Sequence, residues 1–390
     1  MSQLLIVPSV PVWTHGDAFV FDRKFYDGLM RYVAEWRGDV ACLAWRAEGG
    51  WPQFGTVRKT RDDLPLVLTL LEPGTTIGHA HLAESDVVLA AADDHRQLEV
   101  AALCREVGAR CVYVIEYIPE TRHQIVALET RNPLVRVRRH LFVRRSERRR
   151  REAFALASGL QANGTAAHEA YAAHGDPLLY FDTRIAAADL VTDEELSRRL
   201  HRLATGAPLQ LAFSGRLIAM KGADHLLPLA RRLRAAGVPF RFTIYGTGEL
   251  EAPMRETIRA HGLADVVRMP GAVDFHARLV PELRTGTDLF VMLHRQSDPS
   301  CTYLETLSCG VPIVGYDNRA FAGILDLADV GTPVRMDDID GVVAAIAALH
   351  ADRATLARQA RNAVAFARGH TFEDTFRRRI GHLAAGLYAA

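Results

Sequence analysis

Short, continuously apolar runs alternate with amphipathic stretches along nearly the whole chain, and this alternation leaves few architectures open. In the first half the runs are 4–7, 40–43, 66–70, 87–91, 112–115 and 178–181, while stretches between them such as 22–36 and 95–107 space their apolar residues as a helix does. The second half repeats the order, with runs at 209–213, 240–245, 266–269, 289–293 and 311–314 and helical stretches at 223–236, 250–261, 281–285 and 303–309. Strands apolar on both faces need cover on both faces, and parallel strands joined by helices provide it. Each half is therefore expected to be a doubly wound α/β domain. The polar segment 186–208 around Asp193-Glu194-Glu195 is the expected linker. The expected domains are 1–190 and 205–370, followed by a tail 372–390 that reads as a helix over 372–387.

A chain of 390 residues, 49% of them apolar, has material for two cores of ordinary size. Lysine plus arginine number 47 against 46 aspartates and glutamates, and the net charge of +1 gives no global pull toward nucleic acid or anionic membrane. Any such attraction must be local. Cys42, Cys104, Cys111, Cys301 and Cys309 are odd in number and lack CxxC spacing, which speaks against a disulfide framework and a zinc cluster and fits a reduced cytoplasm. The opening residues, Met1 to Pro8, lack a basic n-region and hold too short an apolar run for a signal peptide or a membrane span. They are expected to form the first strand.

Doubly wound sheets bind ligands at the carboxyl ends of their strands, so residues just after the apolar runs are the candidates. After 209–213 come Ser214-Gly215-Arg216 and then Lys221-Gly222. A guanidinium gives directed donors and an ammonium a compact charge, a pair suited to a diphosphate whose charge rises as a bond to it breaks. Asp298-Pro299-Ser300-Cys301-Thr302 turns from loop to helix, where backbone N–H groups and the helix dipole favour an anion. The Cys301 backbone, not its thiol, is expected to matter there. Thr302 and Glu305 also have the spacing of a capping box, so Glu305 is open to two roles. Gly246-x-Gly248 is by itself a turn signal after a strand. Asp93-Asp94-His95 sits at a strand-to-helix junction, where Asp is a common cap, and is not expected to hold a metal.

Five pieces then occur in a telling order: Gly215-Arg216-Leu217 with Lys221-Gly222, Ile244-Tyr245-Gly246-Thr247-Gly248-Glu249, Met269-Pro270-Gly271-Ala272-Val273, Thr287-Asp288-Leu289-Phe290-Val291, and the run from Tyr303 to Pro312. In order and spacing, residues 209–323 resemble the carboxyl-terminal domain of family 4 retaining glycosyltransferases. The resemblance implies the GT-B architecture, two facing Rossmann-like domains with doubly wound parallel sheets and an interdomain cleft. It implies that Arg216 and Lys221 bind the donor phosphates and stabilise the departing nucleoside diphosphate, and that Glu305 accepts hydrogen bonds from ribose hydroxyls. Gly16, Gly215 and Gly246 would let backbone approach the donor, Arg268, Met269 and Pro270 would line the base pocket through main-chain groups, and Ser300, Cys301, Thr302 and Tyr303 would complete the donor site. One departure stands out. The family has a further carboxylate with seven residues intervening before Glu305, and Ser297 occupies that position, so either Asp298 serves against the donor sugar, which is the expectation, or the sugar is held differently.

The amino-terminal half is matched only loosely, by His15-Gly16, expected as the family's glycine loop after the first strand, and by the passage from Glu152 to Asn163. His15 and Asp17 are the expected acceptor contacts. Asp17 and Glu116, the latter ending a strand, join Arg216, Lys221 and Asp298 as candidate catalytic groups. The arginine-rich stretch from Arg131 to Arg151 has two readings: a patch for an anionic acceptor or for lipid headgroups, or a solvated helix face or subunit contact. Nucleic acid is disfavoured, because Phe142 is the only aromatic in that stretch. The expected protein is a retaining glycosyltransferase moving a sugar from a nucleoside-diphosphate sugar to a hydroxyl of a glycan or lipid-linked acceptor, with no metal or other cofactor. The family implies surface polysaccharide or glycolipid synthesis, in the cytoplasm or peripheral at the inner face of the membrane. The alternatives are a GT-B sugar-nucleotide epimerase and a non-catalytic nucleotide-sugar-binding protein. Homo-oligomerisation stays open.

Overall fold

The structure is a computed structural model describing residues 2–52, 55–130, 132–385 and 387. Arg131 and positions 386 and 388–390 of the expected tail lie outside the described residues. The chain divides into two units, the first made of Met1–Arg122, Asn132–Tyr180 and Glu373–Ala390, the second of His123–Arg131 and Phe181–Phe372.

The first unit holds strands β1 (Ser2–Val7), β2 (Trp13–His15), β3 (Ala18–Asp22), β4 (Gly38–Trp45), β5 (Thr56–Thr60), β6 (Val67–Leu71), β7 (Val87–Ala91), β8 (Arg110–Ile115), β9 (Gly159–Asn163) and β10 (Leu178–Tyr180). Seven of them form a parallel sheet in the order β10-β9-β8-β7-β1-β4-β6. Consecutive residues such as Val87, Val88 and Leu89 are all buried, as strands covered on both faces require. The remaining three, β2, β3 and β5, pair antiparallel in a small separate sheet, of which only β3, with Ala18-Phe19-Val20-Phe21, has an apolar run. Trp-Thr-His and Thr-Val-Arg-Lys-Thr carry too few apolar residues to register as strands. The tail helix Phe372–Ala384 packs within this unit. Its Arg379 Nε donates to Gln161 Oε1 at 2.8 Å, the Gln161 amide donates back to the Arg379 carbonyl at 3.0 Å, and the guanidinium lies 4.3 Å over the Tyr180 ring.

The second unit holds β11 (Leu209–Ser214), β12 (Phe240–Tyr245), β13 (Val267–Gly271), β14 (Leu289–Met292), β15 (Ile313–Tyr316) and β16 (Gly331–Val334). All six are parallel, in the order β13-β12-β11-β14-β15-β16, over a core that includes Leu211, Phe213, Phe242, Ile244, Leu289, Val291 and Val314. The strand order reverses direction between β11 and β14, so the crevice at their carboxyl ends is the topological switch point of this sheet.

The segment 186–208, expected as linker, is largely the helix Asp193–Ala204 of the second unit. Its polarity is that of a helix start: Thr192 and Glu195 form a capping box, and the acidic first turn complements the dipole. Buried Arg199 points the other way and donates to the carbonyls of Arg284, at 2.7 Å, and Cys309, at 2.8 Å. These carbonyls close the helices Val280–Gly286 and Thr302–Ser308, whose last C=O groups have no partner within the helix.

Candidate functional site

At the switch point the strand ends are laid backbone against backbone. The Gly215 N–H donates to the Tyr245 carbonyl at 3.2 Å, and the Gly246 N–H donates to the Gly271 carbonyl at 2.9 Å. Gly246 has φ 120°, and a Cβ there would stand 1.9 Å from the Gly215 carbonyl oxygen. Only glycine satisfies both constraints. Gly246→Ala is expected to cost about 1–3 kcal/mol from backbone strain alone, before the clash is counted, and a thermal melt checks it.

Arg216, the next residue after Gly215, is exposed, with no ion pair among the described residues. Lys221 closes the 3-10 turn Ala219–Lys221 and is buried, its Nζ 2.9 Å from Asp298 Oδ2. Gln296 Nε2 donates to the same oxygen. Asp298 comes from the loop that follows β14, so the pair joins the two strands flanking the switch point. Ser297 is anchored in the fold: its N–H donates to Gln124 Oε1 at 3.0 Å, and its Oγ accepts from the Arg319 N–H at 3.2 Å. The carboxylate at 298 therefore meets the cation, and the serine at 297 braces the loop.

Beside this pair lie buried polar atoms without partners among the described residues: His294 Nδ1, Gln296 Oε1 and Asp298 Oδ1. Buried polar groups are satisfied in almost all native sites, so such a cluster marks a place where a ligand's hydroxyls or water complete the bonding. His294 is neutral there, because burial, reinforced by the charge of Lys221, drives its pKa well below the usual imidazole range.

Glu305 does not cap its helix. Thr302 Oγ1 accepts from Ser300 Oγ at 3.1 Å, Cys301 takes the N-cap position without a side-chain capping bond, and Glu305 Oε1 sits 2.7 Å from Arg184 Nε. Arg184 in turn lies 3.8 Å over the Phe275 ring. No local signal could have paired Arg184 with Glu305, which are 121 positions apart. Part of the expected anion site is spent internally, since the Ser300 N–H donates to the Asp298 carbonyl at 2.8 Å and the Tyr303 N–H to the Ser300 carbonyl at 3.1 Å. Tyr303 is a core residue that braces the site from behind, stacked on Phe321 and with its hydroxyl on Asn318. Arg268 is exposed and donates to Glu282 at 3.3 Å, while the Met269 carbonyl accepts from Arg255 at 3.2 Å. With the Gly271 carbonyl also engaged, this stretch, Pro270 included, is held largely as scaffold.

In the first unit, His15, Gly16 and Asp17 are exposed at the tip of the β2–β3 hairpin, with His15 paired to Ala18 and Gly16 at φ 60°. This differs from the expected glycine loop directly after the first strand, which ends at Val7. Glycine serves here because a tight two-residue hairpin turn needs positive φ. Glu116 is exposed after β8, with its backbone N–H held by Asp93 Oδ2 at 2.7 Å. Asp94 caps the turn His95–Gln97 and accepts from the Arg96 N–H at 3.0 Å.

The family model for glycosyl transferases group 1 matches residues 193–366. The chain is 32% identical over 189 residues to 2-deoxystreptamine N-acetyl-D-glucosaminyltransferase of Streptomyces fradiae, covering 46% of this chain and 43% of that one. It is 32% identical over 117 residues to the lipopolysaccharide core biosynthesis mannosyltransferase LpsB of Rhizobium meliloti, covering 30% and 32%. The matches thus span less than half the length of these curated relatives. Among solved structures, HepE of Anabaena, in complex with UDP and glucose, superposes with a TM-score of 0.64 over 99% of this chain and all of that one, at 15% identity. That likeness establishes the two-domain fold. The segment carrying Arg216, Lys221, Asp298 and Glu305 is therefore a glycosyl transferases group 1 domain, set in a chain of GT-B fold.

Proposed function

We propose that the protein is a retaining glycosyltransferase that moves a hexosyl group from a nucleoside-diphosphate sugar to a hydroxyl acceptor. The observation that carries this reading is the Lys221–Asp298 pair at the switch point, with buried polar atoms of His294, Gln296 and Asp298 that lack partners among the described residues, and with exposed Arg216 at the adjoining strand end. Arg216 and Lys221 hold the diphosphate, Glu305 receives the ribose hydroxyls, and Asp298 takes a hydroxyl of the donor sugar on Oδ1. The acceptor oxygen bonds to the anomeric carbon on the face from which the diphosphate oxygen departs, and its proton passes to a phosphate oxygen. Both cations strengthen their bonds as charge grows on the leaving group. No metal is required in this scheme, so activity is expected to survive chelator. HepE was solved with UDP, which makes uridine nucleotides the first donors to try, and LpsB, named for lipopolysaccharide core synthesis, directs the acceptor search to surface glycans.

The test is thermal stabilisation by a panel of nucleoside diphosphates and their sugars. One nucleotide and its sugar forms are expected to raise the melting temperature, with affinity reduced about ten- to a hundredfold in Arg216→Ala and in Glu305→Gln, as expected for loss of a charge-assisted hydrogen bond. The absence of a shift with any member would overturn the reading. Binding without transfer or hydrolysis would leave a nucleotide-sugar-binding protein, donor turnover without acceptor would leave an epimerase, and an inverted anomeric product would sink the retaining mechanism.

A further inference from the structure

Nine large apolar residues are exposed among the described residues, and five of them, Leu134, Val135, Val137, Leu141 and Phe142, fall in the first half of the helix Pro133–Leu156. Leu134 is 81% exposed and Phe142 59%. The helix buries Val143, Ser146, Arg150, Ala153 and Phe154, and Phe142 meets the His95 ring edge-on at 6.4 Å. Counted around the helix, Val143, Ser146 and Arg150 fall on one side, and Leu134, Val137 and Leu141, at i, i+3 and i+7, fall on the opposite side. The helix thus carries a second apolar stripe directed at solvent.

Charge flanks that stripe. No acidic residue precedes Glu147 in the helix, and Arg138, Arg144 and Arg145, beside the stripe, make no ion pair among the described residues. The two acids that follow are occupied, Glu147 by Arg151 at 2.9 Å and Glu152 by Arg148 at 3.0 Å. An apolar stripe bordered by arginines lacking counter-ions fits one environment on both counts: the acyl–headgroup boundary of an anionic leaflet, where leucine and valine enter the apolar layer and guanidinium groups meet phosphates. A second copy of the chain fits less well, because a two-fold contact sets the patch against itself and arginine against arginine. Among the described residues no helix is long and apolar enough to cross a membrane.

We propose that the first half of the helix Pro133–Leu156 docks the protein on the surface of an anionic lipid bilayer. This does not rest on the transferase reading, since Arg216, Lys221, Asp298 and Glu305 all lie in the other unit.

The experiment is co-sedimentation of the full chain with vesicles of phosphatidylcholine and phosphatidylglycerol at 3:1, and with vesicles of phosphatidylcholine alone. Binding is expected on the anionic vesicles, at least tenfold weaker on the neutral ones, and suppressed by 0.5 M salt. The triple variant Arg138→Gln/Arg144→Gln/Arg145→Gln is expected to lose about a hundredfold in partitioning. The double variant Leu134→Ser/Leu141→Ser is expected to lose at least tenfold; its side chains are exposed, so the melting temperature is expected to stay unchanged. Equal binding of wild type to both vesicles, or wild-type partitioning in the leucine variant, would overturn the proposal. Tighter binding to heparin than to anionic vesicles, insensitive to the leucine changes, would assign the patch to a soluble polyanion. A dimer in solution that the leucine variant dissociates would assign it to self-association.

Discussion

Lys221→Met is expected to lower kcat/KM for the sugar nucleotide by roughly 10²–10³-fold, with most of the loss in kcat. Before any donor arrives, the Lys221 ammonium is paired with Asp298 at 2.9 Å in a buried position. An incoming diphosphate must share or displace that carboxylate. The share won by phosphate grows as the leaving group gathers charge, so the interaction is stronger in the transition state than in the bound substrate, and kcat rather than KM reports it. Asp298→Asn separates the two roles the carboxylate can have. With Asp298 reading the sugar, Asp298→Asn lowers kcat/KM while nucleoside diphosphate alone binds as well as before, or tighter because Lys221 is freed. With Asp298 serving only to hold Lys221, sugar nucleotide and nucleoside diphosphate respond alike. The double variant completes the cycle, with a coupling of about 0.5–3 kcal/mol expected for groups in direct contact. A Lys221→Met enzyme within fivefold of wild type would remove the cation from the mechanism.

The parallel sheets were legible because their strands are apolar on both faces. Phe240–Tyr245 and Val87–Ala91 are found where the runs place them, and others shift by one or two residues at one or both ends. What escaped lacks that signal. Gly331–Val334 is an edge strand of sequence Gly-Thr-Pro-Val, where a proline is tolerated and little is buried on its outer side. The helix Pro133–Leu156 reads from sequence only as an arginine run, since its two apolar stripes lie on opposite sides and blur any single period. At the donor site, Arg216, Lys221 and Asp298 were legible because topology alone sends strand ends to one edge. The partner of Glu305 was not, because Arg184 reaches it through tertiary packing that no spacing rule encodes. Asp93 was read as one of a pair of helix caps; its long-range partners give it a larger part.

Asp93→Ala is expected to destabilise the amino-terminal unit by about 3–5 kcal/mol, the range for removing one partner from a buried ion pair. Asp93 Oδ2 accepts from the Glu116 N–H at 2.7 Å, and Oδ1 lies 2.9 Å from Arg122 Nη2 and 3.5 Å from Arg150 Nη2. Arg150 has no solvent exposure at all. It donates to the Tyr117 carbonyl at 2.9 Å, has Glu147 at 3.5 Å, and faces the rings of Phe154 and Tyr171 at 5.5 and 5.3 Å. One carboxylate thus ties the end of β7 to the end of β8 and to the helix Pro133–Leu156, and neutralises a guanidinium that cannot reach water. Removing it leaves that charge with Glu147 alone and leaves the Glu116 N–H without its acceptor. For a unit of this size the melting transition is expected to fall by roughly 6–20 °C. Asp93→Asn, which keeps the shape and one acceptor oxygen, is expected to fall less. Stabilisation by nucleoside diphosphate is expected to persist in both variants, because Arg216, Lys221, Asp298 and Glu305 belong to the other unit. A melting temperature within about 2 °C of wild type in Asp93→Ala would show instead that the arginines find other partners, and that the network around Asp93 is not what holds β7, β8 and the helix together.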